Sequence, residues 1–139
     1  MATISTSRQT ALTGFAAAWA TVAPTWDQST RIAWPQQGKR FTPPNVPYLD
    51  IVLTNAGGSN QAVTRLDVFP AVFDVNLFVP AGTLDDQAIG LITDDVITAF
   101  RAMIVDPSTF KRDIGVDDFG DDKRGYVHVR CRMAMEFRD

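Results

Sequence analysis

The segment that most constrains the fold is the C-terminal stretch 126–137, in which apolar residues occupy every second position. Because successive side chains of a strand point to opposite faces of a sheet, this period predicts one long strand with a buried face and an open face. The apolar side consists of Val127, Val129, Cys131, Met133, Met135 and Phe137, and the other side of Tyr126, His128, Arg130, Arg132 and Glu136. We therefore expect this strand to be central to the fold, with one core face and one basic face.

Three alternating segments predict a meander in the first half of the chain. Residues 48–54 place Leu49, Ile51 and Leu53 on one face, which is typical of a half-buried strand. A six-residue turn cluster leads to a second strand at 61–69, which Pro70 is expected to end because proline lacks a backbone N–H. Residues 72–79 then form the third strand, with Val72 and Phe78 on the face opposite Phe73, Val75, Leu77 and Val79.

Two more strands are predicted outside the meander. Residues 31–34 form a short one that Pro35 closes. Residues 110–116 form another, and the aspartate-rich segment 117–122 is expected to be the turn that joins it to the C-terminal strand.

Two segments show helical spacing. Residues 8–22 predict a helix that starts from a capping box of Thr6 and Gln9 and stops at Pro24. A second helix of about twenty residues starts at the motif TLDD, 83–86, because carboxylates favour the first turn, and it stops before Pro107. The predicted apolar face of this helix consists of Leu84, Ala88, Leu91, Ile92, Val96, Ala99, Phe100 and Met103.

The order of these elements predicts an α+β fold. Strands and helices do not alternate, so we expect a mostly antiparallel sheet, a meander plus a C-terminal hairpin, with the N-terminal helix and the long helix packed on one face. A chain of 139 residues is expected to form a single domain over 1–139.

The composition excludes several classes of function. A net charge of −3 gives no general affinity for nucleic acid or anionic lipid, and no apolar run approaches the 18 residues of a membrane span. Cys131 is the single cysteine, so neither an internal disulfide nor a zinc site is expected. The first residues lack the features of a signal peptide, which favours a cytoplasmic origin.

The residues that could carry chemistry are few. His128 has no nucleophile or carboxylate nearby in sequence, so we interpret it as a strand histidine, and Cys131 as an inert core residue. Five aspartates between 113 and 122 could gather a hard cation, but their spacing does not fit a calcium loop, and a plain hairpin turn is favoured. No phosphate-binding loop is present, and we expect no catalytic residue, metal or cofactor.

Two surface features stay open between a contact and a passive role. The loop 36–47, with three prolines, is long enough to be a contact surface, although a plain connection is about as consistent with the sequence. Arg130 and Arg132, with Lys123 and Arg124 nearby, could meet phosphates, but a solvated or subunit-facing strand is favoured.

One resemblance covers most of the chain, residues 6–137. The order of elements, the strand FDVNLFVPAGT at 73–83 leading into the long helix, and the terminal amphipathic strand resemble the tail terminator proteins of long-tailed bacteriophages and related gene transfer agents. The resemblance implies a structural virion protein, not an enzyme. It further implies a ring, in that family a hexamer, that caps the tail tube, stops tube polymerisation and joins the tail to the head-completion (connector) protein.

The resemblance also implies partners and a location. These are other copies of the chain, the tail tube protein, the head-completion protein, and DNA only as non-specific cargo through the lumen, with no membrane. Assembly would take place in the bacterial cytoplasm and the product would be a virion protein at the head–tail interface. The implied contact regions are the loop 36–47, the hairpin tip 55–60 and the polar face of the last strand, with these candidate residues: Gln36, Lys39, Arg40, Phe41, Pro43, Pro44, Asn55, Ser59, Asn60, His128, Arg130 and Arg132.

Two other functions stay open. A head-completion or tail-tube subunit of the same kind of virion would also be small, rich in strands and free of enzyme motifs. A small ligand-binding or enzymatic α+β domain would need convergent polar groups in a concave site, which the sequence does not indicate.

Overall fold

A computed structural model describes residues 4–35, 41–55, 59–61 and 66–138, with only the backbone described for 59–61, 66 and 67. The elements in chain order are α1 Ile4–Val22, α2 Gln28–Arg31, β1 Ile32–Ala33, β2 Tyr48–Asn55, β3 Ser59–Gln61, β4 Leu66–Pro80, α3 Asp86–Ala102, β5 Thr109–Asp121 and β6 Tyr126–Arg138. The predicted α+β class is confirmed.

The strands form one sheet in the order β1-β2-β4-β6-β5, with β3 added to the end of β4. β1 runs parallel to β2, and the other pairs are antiparallel. The two central strands, β4 and β6, pair from Val68 with Arg138 to Pro80 with Tyr126. The long amphipathic strand at the C-terminus is therefore central, as predicted.

Both long helices lie on the same face of the sheet. The ring of Phe15 in α1 lies 5.4 Å from that of Phe73 in β4 and 5.8 Å from that of Phe100 in α3. The predicted apolar faces of all three main strands point to this side and are buried, with Val127 half-buried. The face that carries Phe78 and Val72 therefore faces away from both helices.

Four details of the sequence prediction are wrong. Residues 66–69 of the predicted second strand and the whole predicted third strand form one strand, β4, which Pro70 does not end, and Gln61 belongs to a separate strand, β3. The pairs of β2 with β4 end at Ala71 and those of β3 reach Val68, so Pro70 lies between the two ladders, where a missing N–H costs little.

The aspartate-rich segment is the second correction. Residues up to Asp121 belong to β5, and the turn to β6 lies at 122–125, where Lys123 and Gly125 have positive φ. Aspartate is uncommon in strands, but pairing along β6 outweighs this weak preference.

The helices account for the other two corrections. α1 is already helical at Ile4, so Thr6 lies inside it and does not cap it. In α3, Leu91 is 60% exposed while Ile89 is buried, because the face turned to the sheet is rotated from the one predicted. The N-cap of α3 is Asp85, whose Oδ1 accepts the backbone N–H of Ala88 at 2.8 Å.

Candidate assembly interface

The site is the face of the sheet that neither long helix covers, which we call the open face. It is built from the alternate residues of β2, β4, β6 and β5 that point away from the core. One end of the open face is aromatic and the other is crossed by ion pairs.

Aromatic rings from all four strands and from the segment before β2 meet at the first end. We call this group the aromatic cluster; it consists of Phe41, Tyr48, Phe78, Phe119, Tyr126 and His128. The imidazole of His128 joins two of its members, because it stacks on Phe78 at 4.4 Å and lies 4.8 Å from the ring of Phe119. Phe119 is 51% exposed, so the cluster has an accessible edge.

His128 is held by polar contacts as well as by the stack. Its Nε2 lies 2.9 Å from Oδ1 of Asn76, and Nδ2 of Asn76 donates to the backbone oxygen of Asp50 at 3.3 Å. Burial lowers the pKa of His128, and Arg130 lowers it further. Burial also raises the pKa of the half-buried Asp50, and these directions favour an uncharged imidazole at neutral pH.

Tyr48 anchors the cluster at β2. Its ring stacks on Phe78 at 5.2 Å and lies 5.4 Å from the ring of Phe41. Burial raises the pKa of Tyr48 to about 12, so its phenol stays protonated. The cluster can therefore offer stacking surface and neutral hydrogen-bonding groups to a partner, but it has no activated nucleophile.

The rest of the open face carries paired charges. Arg130 binds Asp117 at 2.7 Å and Arg132 binds Asp74 at 2.9 Å. Farther along β6, Glu136 binds both Arg112 and Arg138 at 2.9 Å, and these hydrogen bonds lower the pKa of Glu136. The face was predicted to be basic; this is wrong, because aspartates on β4 and β5 neutralise its arginines.

The candidate residues fall into four groups. Phe41, His128, Arg130 and Arg132 lie together on the open face. Asn55 is at the other end of β2 and points to the helices, where its Oδ1 accepts a hydrogen bond from Arg8 at 2.9 Å.

Pro43 is exposed and Pro44 is half-buried in the segment before β2, and Ser59 and Asn60 form part of β3. Gln36, Lys39 and Arg40 lie outside the described residues, as does the middle of the hairpin tip.

In and around the aromatic cluster, the candidate residues did not include Tyr48, Asp50, Asn76, Phe119 and Tyr126. They also did not include Asp117 and Asp74, the partners of Arg130 and Arg132. Alternation did place Tyr48 and Tyr126 on polar faces, which was the available signal. Alternation along single strands does not predict the register between β5 and β6, and this register brings Phe119 beside His128.

Four of the five aspartates between 113 and 122 bind backbone N–H groups or arginine. Oδ1 of Asp118 accepts from the N–H of Gly120, and Oδ1 of Asp121 from that of Lys123. Asp122 accepts from Arg124 at 2.7 Å and from Tyr126 at 3.1 Å. Within the described ranges, no three His, Cys, Asp or Glu side chains are arranged to hold a metal ion. Cys131 is buried, which raises the pKa of its thiol to about 12.

Comparisons with known proteins add little to this geometry. No family model matches the chain, and no curated protein does. A solved structure whose name describes no function aligns with 90% of this chain and 94% of its own, at 17% identity and a TM-score of 0.49. That likeness carries no argument about function.

Among the described residues, no helix has both the length and the apolarity to cross a membrane.

Proposed function

We propose that this chain is a structural subunit of a tailed virion, a tail terminator that forms a ring on the tail tube, stops its polymerisation and contacts the head-completion protein. The observation that carries the proposal is the open face, where an aromatic cluster with an exposed edge continues into arginine–carboxylate pairs across four strands. Aromatic residues and arginine are the types enriched at protein–protein interfaces.

The resemblance described above supports the same role. Strand β4 leads through the short segment 81–85 into α3, and the amphipathic β6 pairs with β4 from Val68 to Pro80. A net charge of −3 also suits a ring through which DNA passes, since a lumen with high affinity for DNA would slow its release.

The test uses host cells that produce the virion from a genome in which the gene for this chain carries a nonsense mutation. We expect these cells to accumulate tails that are longer than normal and lack heads. Purified protein should restore the normal tail length and the joining of tails to heads. Normal tails without the chain would refute the proposal. Long tubes formed by the purified protein alone would identify a tube subunit instead, and melting that depends on a small ligand would favour a binding domain.

A matched pair of variants tests the open face. Phe119→Ser removes the exposed ring of the aromatic cluster, while Ile104→Ser removes an equally apolar side chain, 79% exposed, after α3. We expect Phe119→Ser to reduce the yield of tails with normal length and joined heads at least about tenfold, the effect of losing an interface hot spot. Ile104→Ser should give the same yield as wild type. Equal restoration by both folded variants would mean that the open face makes no essential contact.

A further inference from the structure

A groove lies on the helix side of the sheet, between the first half of α3 and residues 116–121 of β5. Its volume is about 500 Å³. The floor is apolar and includes Val116, which is 45% exposed, and the half-buried Val127. The groove exists because α3 packs over the central strands and leaves the helix side of β5 uncovered.

The rim of the groove is acidic. Asp86 and Asp94 of α3 face Asp118 and Asp121 of β5, and none of the described residues that line the groove is basic. None of these four carboxylates forms an ion pair with a described residue, although Oδ1 of Asp118 and Oδ1 of Asp121 each accept one backbone N–H. An occupant that matches this chemistry is apolar in the middle and cationic around it.

The opposite edge of the same sheet has the complementary chemistry. Next to β1, the guanidinium of Arg31 lies 3.7 Å from the ring centroid of Trp26, and both side chains are half-buried. The ring of Trp26 also packs edge-on against Trp19 at 5.2 Å. Arg31 also donates to the carbonyl of Pro47 and forms no ion pair with a described residue. Residues 1–70 hold five Lys or Arg against three Asp, whereas 71–139 hold eight against thirteen acidic residues.

We infer that the groove receives the β1 edge of a second copy of this chain, with Trp26 over the valine floor and Arg31 among the carboxylates. The two surfaces lie on opposite edges of one sheet, so the contact is head-to-tail and closes into a ring when its rotation permits. The inference rests on the proposed function only in taking the occupant to be another copy. Beyond the proposed function, the inference specifies which surfaces of neighbouring subunits are in contact.

The test compares two double variants, each of which replaces one aspartate by arginine and one apolar residue by serine, with one change on α3 and the other on β5. Asp94→Arg with Val116→Ser changes the groove, and Asp113→Arg with Leu91→Ser changes exposed residues outside it. Sedimentation from about 1 μM to about 1 mM follows association over the range of weak contacts. We expect wild type and the control to associate, less at high salt, and the groove variant to need at least about tenfold higher concentration.

A wild-type protein that stays monomeric throughout, or a groove variant that associates like wild type, would overturn the inference. If the groove variant is not folded by circular dichroism, Asp94→Lys alone, on the exposed side of α3, takes its place. Thr25→Cys with Val116→Cys should give a ladder of disulfide-linked oligomers, because each copy contributes one thiol to each contact. A dimer from Val116→Cys alone would indicate a two-fold contact and contradict the head-to-tail arrangement.

These results are separable from the test of the proposed function. Rings that form through the groove but do not cap tubes would uphold the inference and refute the tail terminator. Tube capping by the groove variant as efficient as by wild type would uphold the function and refute the inference.

Discussion

At the residue scale, the closest approach in the helical layer depends on a single glycine. A Cβ added to Gly14 of α1 would lie 2.1 Å from the backbone oxygen of Ile104, just after α3. No real contact is that short, and the obstacle is backbone that cannot rotate away. The two helices can therefore meet as they do only because position 14 has no side chain.

Replacing this glycine should be costly. We expect Gly14→Ala to lower the free energy of unfolding by about 3 kcal/mol, the upper end of the usual cost of overpacking, since the clash has to separate two packed segments. Gly90→Ala is the control, because it adds the same methyl group to a helix where a Cβ meets nothing within 4 Å. Chemical denaturation measures both, and equal stabilities of the two variants would contradict this account.

His128 should give the fold a pH dependence. Because the folded pKa is lowered, the unfolded chain binds a proton more readily, so stability is complete above the unfolded value of about 6.5 and falls as the pH drops toward the folded pKa. We expect the wild-type Tm to fall more between about pH 7.5 and about pH 5.5 than that of His128→Gln, which keeps a polar partner for Asn76. The reverse order would show that His128 gains a proton on folding.

At the element scale, the C-terminal end of α3 is capped by a side chain of the next strand. Nζ of Lys111 in β5 donates to the carbonyls of Phe100, Arg101 and Met103 at 2.9–3.2 Å. These carbonyls have no partner within the helix, and they carry the negative end of the helix dipole. Helix α3 and strand β5 thus depend on each other.

Removing this ammonium group tests the coupling. Lys111→Met keeps the aliphatic stem, and we expect it to cost about 1 kcal/mol because the site is partly exposed. Lys123→Met, the same change in the exposed turn before β6, should be close to neutral. Thermal unfolding distinguishes the two, and no difference between them would mean that solvent caps α3 as well as Lys111 does.

At the scale of the whole molecule, one sheet separates two surfaces of different chemistry. The helix side holds a core that extends from Trp19 and Phe15 through Phe73 to the alternate residues of β6. The open face holds the aromatic cluster and the ion pairs. The central strand β6 contributes to both, so its register decides which chemistry reaches each side.

A charge on the core side of β6 should therefore abolish the fold. Val129 is 4% exposed, and Val129→Asp places an unpaired carboxylate in the core at a cost of several kcal/mol, about the whole stability of a small domain. We expect no soluble protein from this variant. Val127→Asp, nearer the end of the strand and half-buried, should be tolerated better, and equal expression of both would mean that β6 is not central.

The amphipathic strands could be assigned from the sequence because their determinants are local. Alternation along β6 and along the second half of β4 gave the buried face correctly, and the apolar spacing of α3 gave its extent to within a few residues. These patterns report which side of an element is apolar, and burial of that side is the largest driving force of folding. The α+β class and the placement of both helices on one face follow from the same signal.

Only the tertiary structure decided which strands are neighbours and in what register. The pairing of β4 with β6 keeps Pro70 inside β4, and the pairing of β5 with β6 extends β5 through its aspartates. It also brings Asp117 to Arg130, although the pattern of the isolated strand predicted a basic face. It also brings Phe119 beside His128 and leaves the acidic groove next to α3. These features join residues distant in the chain, so they depend on how the apolar faces pack together, which no local pattern of one sequence specifies.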